Sequence, residues 1–199
     1  MGFSQTPLPI GTYEIIAGTA RNDSLTGIGG QAVFGGAGND LLTGYSETTA
    51  DGYWQVSPLL SGGAGNDTYT IRNGTWNYIA DLNGGKDLIK TSLNVNTLYF
   101  ARINNRDILA TDGSTAAILI DPLGAENPDN KIEAVKFGRK KYSAEKLYRM
   151  ALSSKGYLGS LTYADLESEG VLNLSIMGLN SSRINEYIDN GRFNNNIVF

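Results

Sequence analysis

Along the first seventy residues the large apolar side chains come in phase rather than in runs. Leu25, Leu42 and Tyr69 each stand two positions after an aspartate, in Asp23-Ser24-Leu25, Asp40-Leu41-Leu42 and Asp67-Thr68-Tyr69. Such a pattern predicts brief strands, each turning one large side chain into a thin core. Val33 and the pair Leu59-Leu60 fall between them and predict strands on an opposite half-turn. From residue 97 the strand pattern lengthens. Leu98-Tyr99-Phe100 and Ile108 to Thr111 lead to the hairpin signal Asp112-Gly113, Thr115 to Ile120 returns, and Ile132 to Phe137 supplies one more strand. After Ser143, a good N-cap, the period becomes helical: Leu147, Met150 and Ala151 share a face, predicting a helix over 144–152. Further helices are expected near 162–168 and 181–189.

What separates the early apolar positions is a repeat. Gly-Gly-Ala-Gly-Asn-Asp occurs at 35–40 and again at 62–67, and a decayed copy, Gly18-Thr19-Ala20-Arg21-Asn22-Asp23, precedes them. Glycine takes positive φ without a Cβ penalty, so such a turn can aim its carbonyls to one side, and the aspartate adds a formal charge. Carbonyl and carboxylate oxygens are the ligands hard cations prefer. Asp23 and Asp40 are 17 residues apart and Asp40 and Asp67 are 27 apart, about two and three nine-residue units, so the three should stack on one edge. The other edge carries Gln31 where an aspartate would stand, and is expected to hold no metal. The stretch 44–61 breaks the repeat. It reads as one enlarged half-turn, with Glu47, Tyr53 and Trp54 on a projecting loop.

Charge follows the same division. Residues 1–70 hold six acids (Glu14, Asp23, Asp40, Glu47, Asp51, Asp67) against Arg21 alone, a net of −5 in a chain of −4, so the remainder is almost neutral. An acidic segment attracts cations and repels nucleic acid and anionic membrane. The basic cluster Lys136, Arg139, Lys140 and Lys141 is short and reads as a solvated hairpin end, not a nucleic-acid site. The chain has neither cysteine nor histidine, which excludes disulfides, thiolate or imidazole metal sites, and Ser-His-Asp catalysis. No acid pair stands in a catalytic motif, and no enzyme is expected. The amino terminus lacks the pattern of a cleavable signal peptide, and no apolar run approaches the roughly 18 residues of a membrane span.

The repeats, continued as Gly-Gly-x-Gly-x-Asp-x-U-x with U large and apolar, resemble the RTX (repeats-in-toxin) calcium-binding family over 18–70. Asp81 to Ile89 and Lys131 to Gly138 resemble, more loosely, the segments that follow the last repeat and close the domain. The resemblance implies a mainly β fold: a short right-handed parallel β-roll (a β-solenoid) over 1–90, capping antiparallel strands over 91–142, and a small helical region over 143–199. It implies Ca²⁺ between stacked turns. The first site would use Thr19, Arg21 and Asp23 with Gly35, Ala37 and Asp40. The second would use Gly36, Gly38 and Asp40 with Gly62, Ala64 and Asp67. A third would use Gly63, Gly65 and Asp67 with Asp81 or Asp87. Thr19 and Arg21 replace glycines, so the first turn is expected to be strained and its site weak. Asp40 serves two gaps, so its loss should cost more calcium than loss of Asp23.

By the same resemblance the protein is exported by a type I secretion machinery through an uncleaved carboxy-terminal signal, and acts outside the bacterial cell or at its surface. The expected function is a calcium-binding structural or interaction module, of adhesin or surface-layer kind, with self-association or a cell-surface partner. The alternative is the carrier module of a secreted protease, lipase or polysaccharide-modifying enzyme whose catalytic domain lies elsewhere.

Overall fold

The computed structural model describes residues 14–45, 47–48, 55–103, 107–112, 114–120, 122–125, 128–153 and 157–161. The chain begins by alternating between two sheets. β1 (Glu14–Ala17), β3 (Gln31–Ala37), β7 (Leu59–Ala64) and β9 (Trp76–Ile79) enter one sheet. β2 (Ser24–Ile28), β4 (Leu41–Tyr45), β8 (Thr68–Ile71) and β10 (Leu88–Thr91) enter the other. All neighbours in this part pair in parallel. Within 44–61, β5 (Glu47–Thr48) and β6 (Gln55–Val56) form a separate small hairpin. Tyr53 and Trp54 lie outside the described residues.

Antiparallel pairs then extend both sheets. β11 (Tyr99–Ile103), β12 (Asp107–Thr111) and β13 (Ala116–Leu119) form a meander, and β13 joins the first sheet in parallel beside β9. β14 (Ala134–Phe137) lies parallel to β10, and β15 (Lys140–Ser143) turns back antiparallel to it. The helix α1 (Ala144–Ser153) follows directly, with the Ser143 hydroxyl accepting the Lys146 N–H at 3.1 Å as an N-cap does. A last strand, β16 (Tyr157–Leu161), pairs in parallel with β11; its partner could not be read from local pattern. The result is mainly β: an eight-stranded and a six-stranded sheet, both mostly parallel, with one short helix among the described residues and no closed barrel. The expected helices at 162–168 and 181–189 and the expected export signal lie outside the described residues.

Two sheets with inward rows of apolar residues make one core. Leu42, Tyr69, Ile89 and Val135 from the six-stranded sheet meet Val33, Leu60, Ile79 and Leu119 from the eight-stranded one, and all are buried. The phase read from the repeats is therefore the phase of the core: Leu25, Leu42 and Tyr69 are register partners on adjacent strands. The core does not stop at residue 90. Phe100, Ile108, Ile132, Phe137 and Leu147 belong to the same cluster. The eight-stranded sheet is also apolar on its other face, where Leu59, Tyr78, Ile118, Leu109 and Ile103 form a second buried cluster. Alternation alone, which predicts one apolar face, missed it.

Candidate metal centre

The three aspartates of the repeats stand on one edge, and the column they form continues further. The amide of Asp23 donates to Oδ1 of Asp40, that of Asp40 to Oδ1 of Asp67, and that of Asp67 to Oδ1 of Asp87, each at 2.7 Å. Glu133 ends the column, its Oε2 accepting the Asp87 N–H at 2.8 Å. The asparagines run beside it in the opposite sense. Asn39 donates its N–H to Asn22 Oδ1 and Asn66 donates its own to Asn39 Oδ1, each at 2.8 Å, and Lys86 N–H closes the row on Asn66 Oδ1 at 2.9 Å. Asn39-Asp40 and Asn66-Asp67 thus bind their turns to the neighbours on both sides.

Asp40, Asp67 and Asp87 each spend one oxygen on the amide of the preceding aspartate. The second oxygen, Oδ2 of Asp40, Asp67 and Asp87, is buried without a hydrogen-bond partner, and so is Oδ2 of Asp81. All four side chains are at most 2 % exposed. An ionised oxygen so placed carries its full desolvation penalty, which a proton or a cation must offset. Burial raises the Asp40 carboxyl above its usual range. Burial, joined by the charges of Asp40 and Asp87 against the opposing amide of Asp40, pushes Asp67 up to about 7. Burial, then the carboxyl of Asp87, pushes Asp81 up to about 9.

Asp81 enters the site from the column of first glycines. The register Leu60↔Ile79 puts Asp81 two places on, level with Gly62, where the earlier turns offer only a backbone. Its Oδ1 accepts the Tyr69 hydroxyl at 2.5 Å, and that hydroxyl in turn accepts the Gly62 N–H at 2.6 Å. Burial, then the nearby Asp81 charge, holds the Tyr69 phenol well above its ordinary value, so it remains a donor to Asp81. Oxygens of Asp67, Asp81 and Asp87 lie within 4.8 Å of one another, and this buried group could hold a metal ion. Sequence reasoning left Asp81 and Asp87 as alternatives; the fold brings both to Asp67.

The glycines bring carbonyls to the same edge. A Cβ at Gly35 would stand 2.3 Å from Asp40 Oδ2 and 2.4 Å from the Gly62 carbonyl oxygen, so these two oxygens converge on bare Cα. The carbonyls of Gly36, Gly38 and Gly65 likewise face the Cα atoms of Gly63, Gly65 and Gly85 in the following turn. The Ala64 carbonyl accepts Gly38 N–H at 2.8 Å and the Thr19 carbonyl accepts Ala37 N–H at 3.0 Å, so these two already carry a hydrogen bond.

The first turn departs from the others, and not by strain. Gly36, Gly38, Gly63 and Gly65 have positive φ, whereas Thr19 and Arg21 at the matching places do not; among described non-glycine residues only Asn83 does. Instead Asp23 Oδ2 accepts both the Thr19 N–H at 2.6 Å and the Thr19 hydroxyl at 2.8 Å. Threonine supplies its own closure of the turn, relieving the expected strain and occupying the oxygen a cation would use. Gln31, on the other edge, accepts Ile28 N–H and donates to Glu14 Oε2 at 2.7 Å.

Glu133, the Asn22-Asn39-Asn66 row and the Tyr69 hydroxyl were not among the expected site residues. Glu133 had a signal, since it directly precedes the closing strand as each aspartate precedes its own. No protein-family model matches this chain, and no curated protein matches it significantly.

Proposed function

We propose that this protein is a calcium-binding structural or interaction module of the RTX kind, its two sheets wound as a short right-handed β-roll that folds as Ca²⁺ enters between turns. One observation carries the reading: a ladder of buried carboxylates in which Asp40, Asp67, Asp81 and Asp87 each keep an oxygen without a partner. The available donors are all oxygen, in a chain without histidine or cysteine, which suits a hard cation. A Ca–O bond of about 2.4 Å lets ligands on opposite sides of one ion lie about 4.8 Å apart, and the Asp67, Asp81 and Asp87 oxygens lie no further apart than that. Parallel crossovers are right-handed with few exceptions, which gives the hand.

In this reading one ion sits with Asp67, Asp81 and Asp87, and another in the Asp40/Asp67 gap with the carbonyls of Gly36, Gly38 and Gly62. The Asp23/Asp40 gap is weaker because Thr19 already holds Asp23. Calcium binds only the folded arrangement and so stabilises it by mass action. Extracellular modules bind at about 10⁻⁴–10⁻³ M, which would leave the roll open in the cytosol and folded after export.

Calcium titrated into chelated protein should release heat and increase β circular dichroism together. Asp67 faces both principal ions, so Asp67→Ala should lose more bound calcium than Asp23→Ala. Equal structure in excess chelator, or an Asp67→Ala variant that binds as much calcium as the wild type, would overturn the reading.

A further inference from the structure

The outward face of the six-stranded sheet carries a row that no local stretch of sequence displays. Register partners across it run Thr26, Thr43, Thr70, Lys90, Lys136 and Lys141, one residue from each of the six strands. Three threonines are thus followed by three lysines at the inter-strand spacing of about 4.8 Å. None of these six strands contains an acidic residue. Lys90 and Lys141 are exposed, Lys136 is half-buried, and none of the three has an acidic partner among the described residues. Like charges directly opposite one another destabilise a sheet. A chain of net charge −4 nevertheless aligns three here.

Beside the row is an open groove of about 730 Å³, lined by Tyr45, Thr70, Arg72, Lys90, Ser92 and Lys136 among others. Arg72 lies over the Tyr45 ring, 5.0 Å from its centroid, and adds a fourth cation. The cations come from β10, β14, β15 and the end of β8, so the patch exists only in the fold.

We infer that this face binds a linear acidic polysaccharide with one carboxylate on each sugar residue. A row of cations, one per strand at about 4.8 Å, complements a polymer with a regular series of carboxylates, and the long lysine side chains can reach carboxylates that a uronate chain turns to either side. The threonine hydroxyls alongside offer hydrogen bonds to sugar hydroxyls. Single-stranded nucleic acid is disfavoured because it needs aromatic platforms for its bases, and the one aromatic ring of the groove, Tyr45, is covered by Arg72. The inference does not rest on the calcium reading, since none of these residues belongs to the aspartate column.

The test uses the full chain at fixed free calcium and a hexamer of galacturonic acid as probe. The hexamer should bind, a neutral hexasaccharide should not, and affinity should fall as salt rises. Lys90→Gln/Lys136→Gln/Lys141→Gln should weaken binding by at least about tenfold and flatten the salt dependence. The thermal midpoint of that variant should not fall, because repulsion within the row is relieved. If the triple variant fails to fold, Lys90→Gln alone must weaken the hexamer by about threefold or more. The inference is overturned if the wild type binds no hexamer, if the lysine variants bind as the wild type does, or if the neutral sugar binds equally well. Tighter binding of a single-stranded oligonucleotide or a sulfated oligosaccharide would overturn it too.

Discussion

At the scale of the residue, Asn-Asp does two different things in adjacent positions. The asparagine side chain accepts from the following turn and the aspartate side chain accepts from the preceding one, so the pair joins its turn to opposite neighbours. The aspartate then has an oxygen left over, and burial makes that oxygen costly unless a proton or a cation meets it. This gives a pH dependence. A carboxyl with a higher pKa folded than unfolded holds its proton more tightly in the native state. Asp67, pushed up to about 7, and Asp81, pushed up to about 9, are of this kind. Their stabilising contribution is therefore complete below the unfolded value of about 4 and is lost as pH rises through 7 and on towards 9. In chelator, the protein should retain less β circular dichroism at pH 8 than at pH 5. Saturating calcium should remove most of that difference by replacing the proton. Equal structure at the two pH values in chelator would contradict the assigned burial of these groups.

At the scale of the element, the strands run further than the repeat pattern implies. β3 and β7 continue into the first three residues of the Gly-Gly-Ala-Gly-Asn-Asp hexamers, because Gly36 and Ala37 pair with Gly63 and Ala64 across the sheet edge. Pairing through the turn packs backbone against backbone, and this is where glycine is required. A Cβ at Gly65 would stand 1.6 Å from the Gly38 carbonyl oxygen, at φ +134°, whereas Gly74, at φ +74°, has nothing within 4 Å of that position. Both substitutions by alanine incur backbone strain of about 1 kcal/mol or more, but only Gly65→Ala must also separate two turns. Gly65→Ala should thus lower the urea midpoint in calcium clearly more than Gly74→Ala, and weaken calcium binding as well. Equal effects would mean that the turns are not held in contact.

At the scale of the whole molecule, the repeat edge and the later strands share one core. Val33 and Leu42 belong to the same buried cluster as Phe100, Ile108, Phe137 and Leu147. The aspartate column is continuous with that arrangement, since Asp87 precedes β10 and Glu133 precedes β14. Loosening at the edge should consequently spread. Hydrogen exchange of the calcium-loaded and chelated protein should show lost protection in β10, β13 and β14 as well as in β4 and β8. A change confined to residues 18–71 would show two independent units instead.

The sequence alone determined the edge and its chemistry. Hexamers 17 and 27 residues apart, with Leu25, Leu42 and Tyr69 in phase, were enough to stack Asp23, Asp40 and Asp67, because a residue two places past the aspartate must face inward in every turn. The hairpin at Asp112 and the capped helix after Ser143 were legible for the same reason: turn and cap chemistry acts over a few residues. Only the tertiary structure decided what depends on register between distant strands. It placed Asp81 level with Gly62, gathered its carboxylate with those of Asp67 and Asp87, and tied Asp23 to Thr19 in the first turn. It also set Lys90 beside Lys136 and Lys141 on one face. A short motif states which atoms a turn can offer; which turns meet is determined by the pairing of strands far apart in the chain.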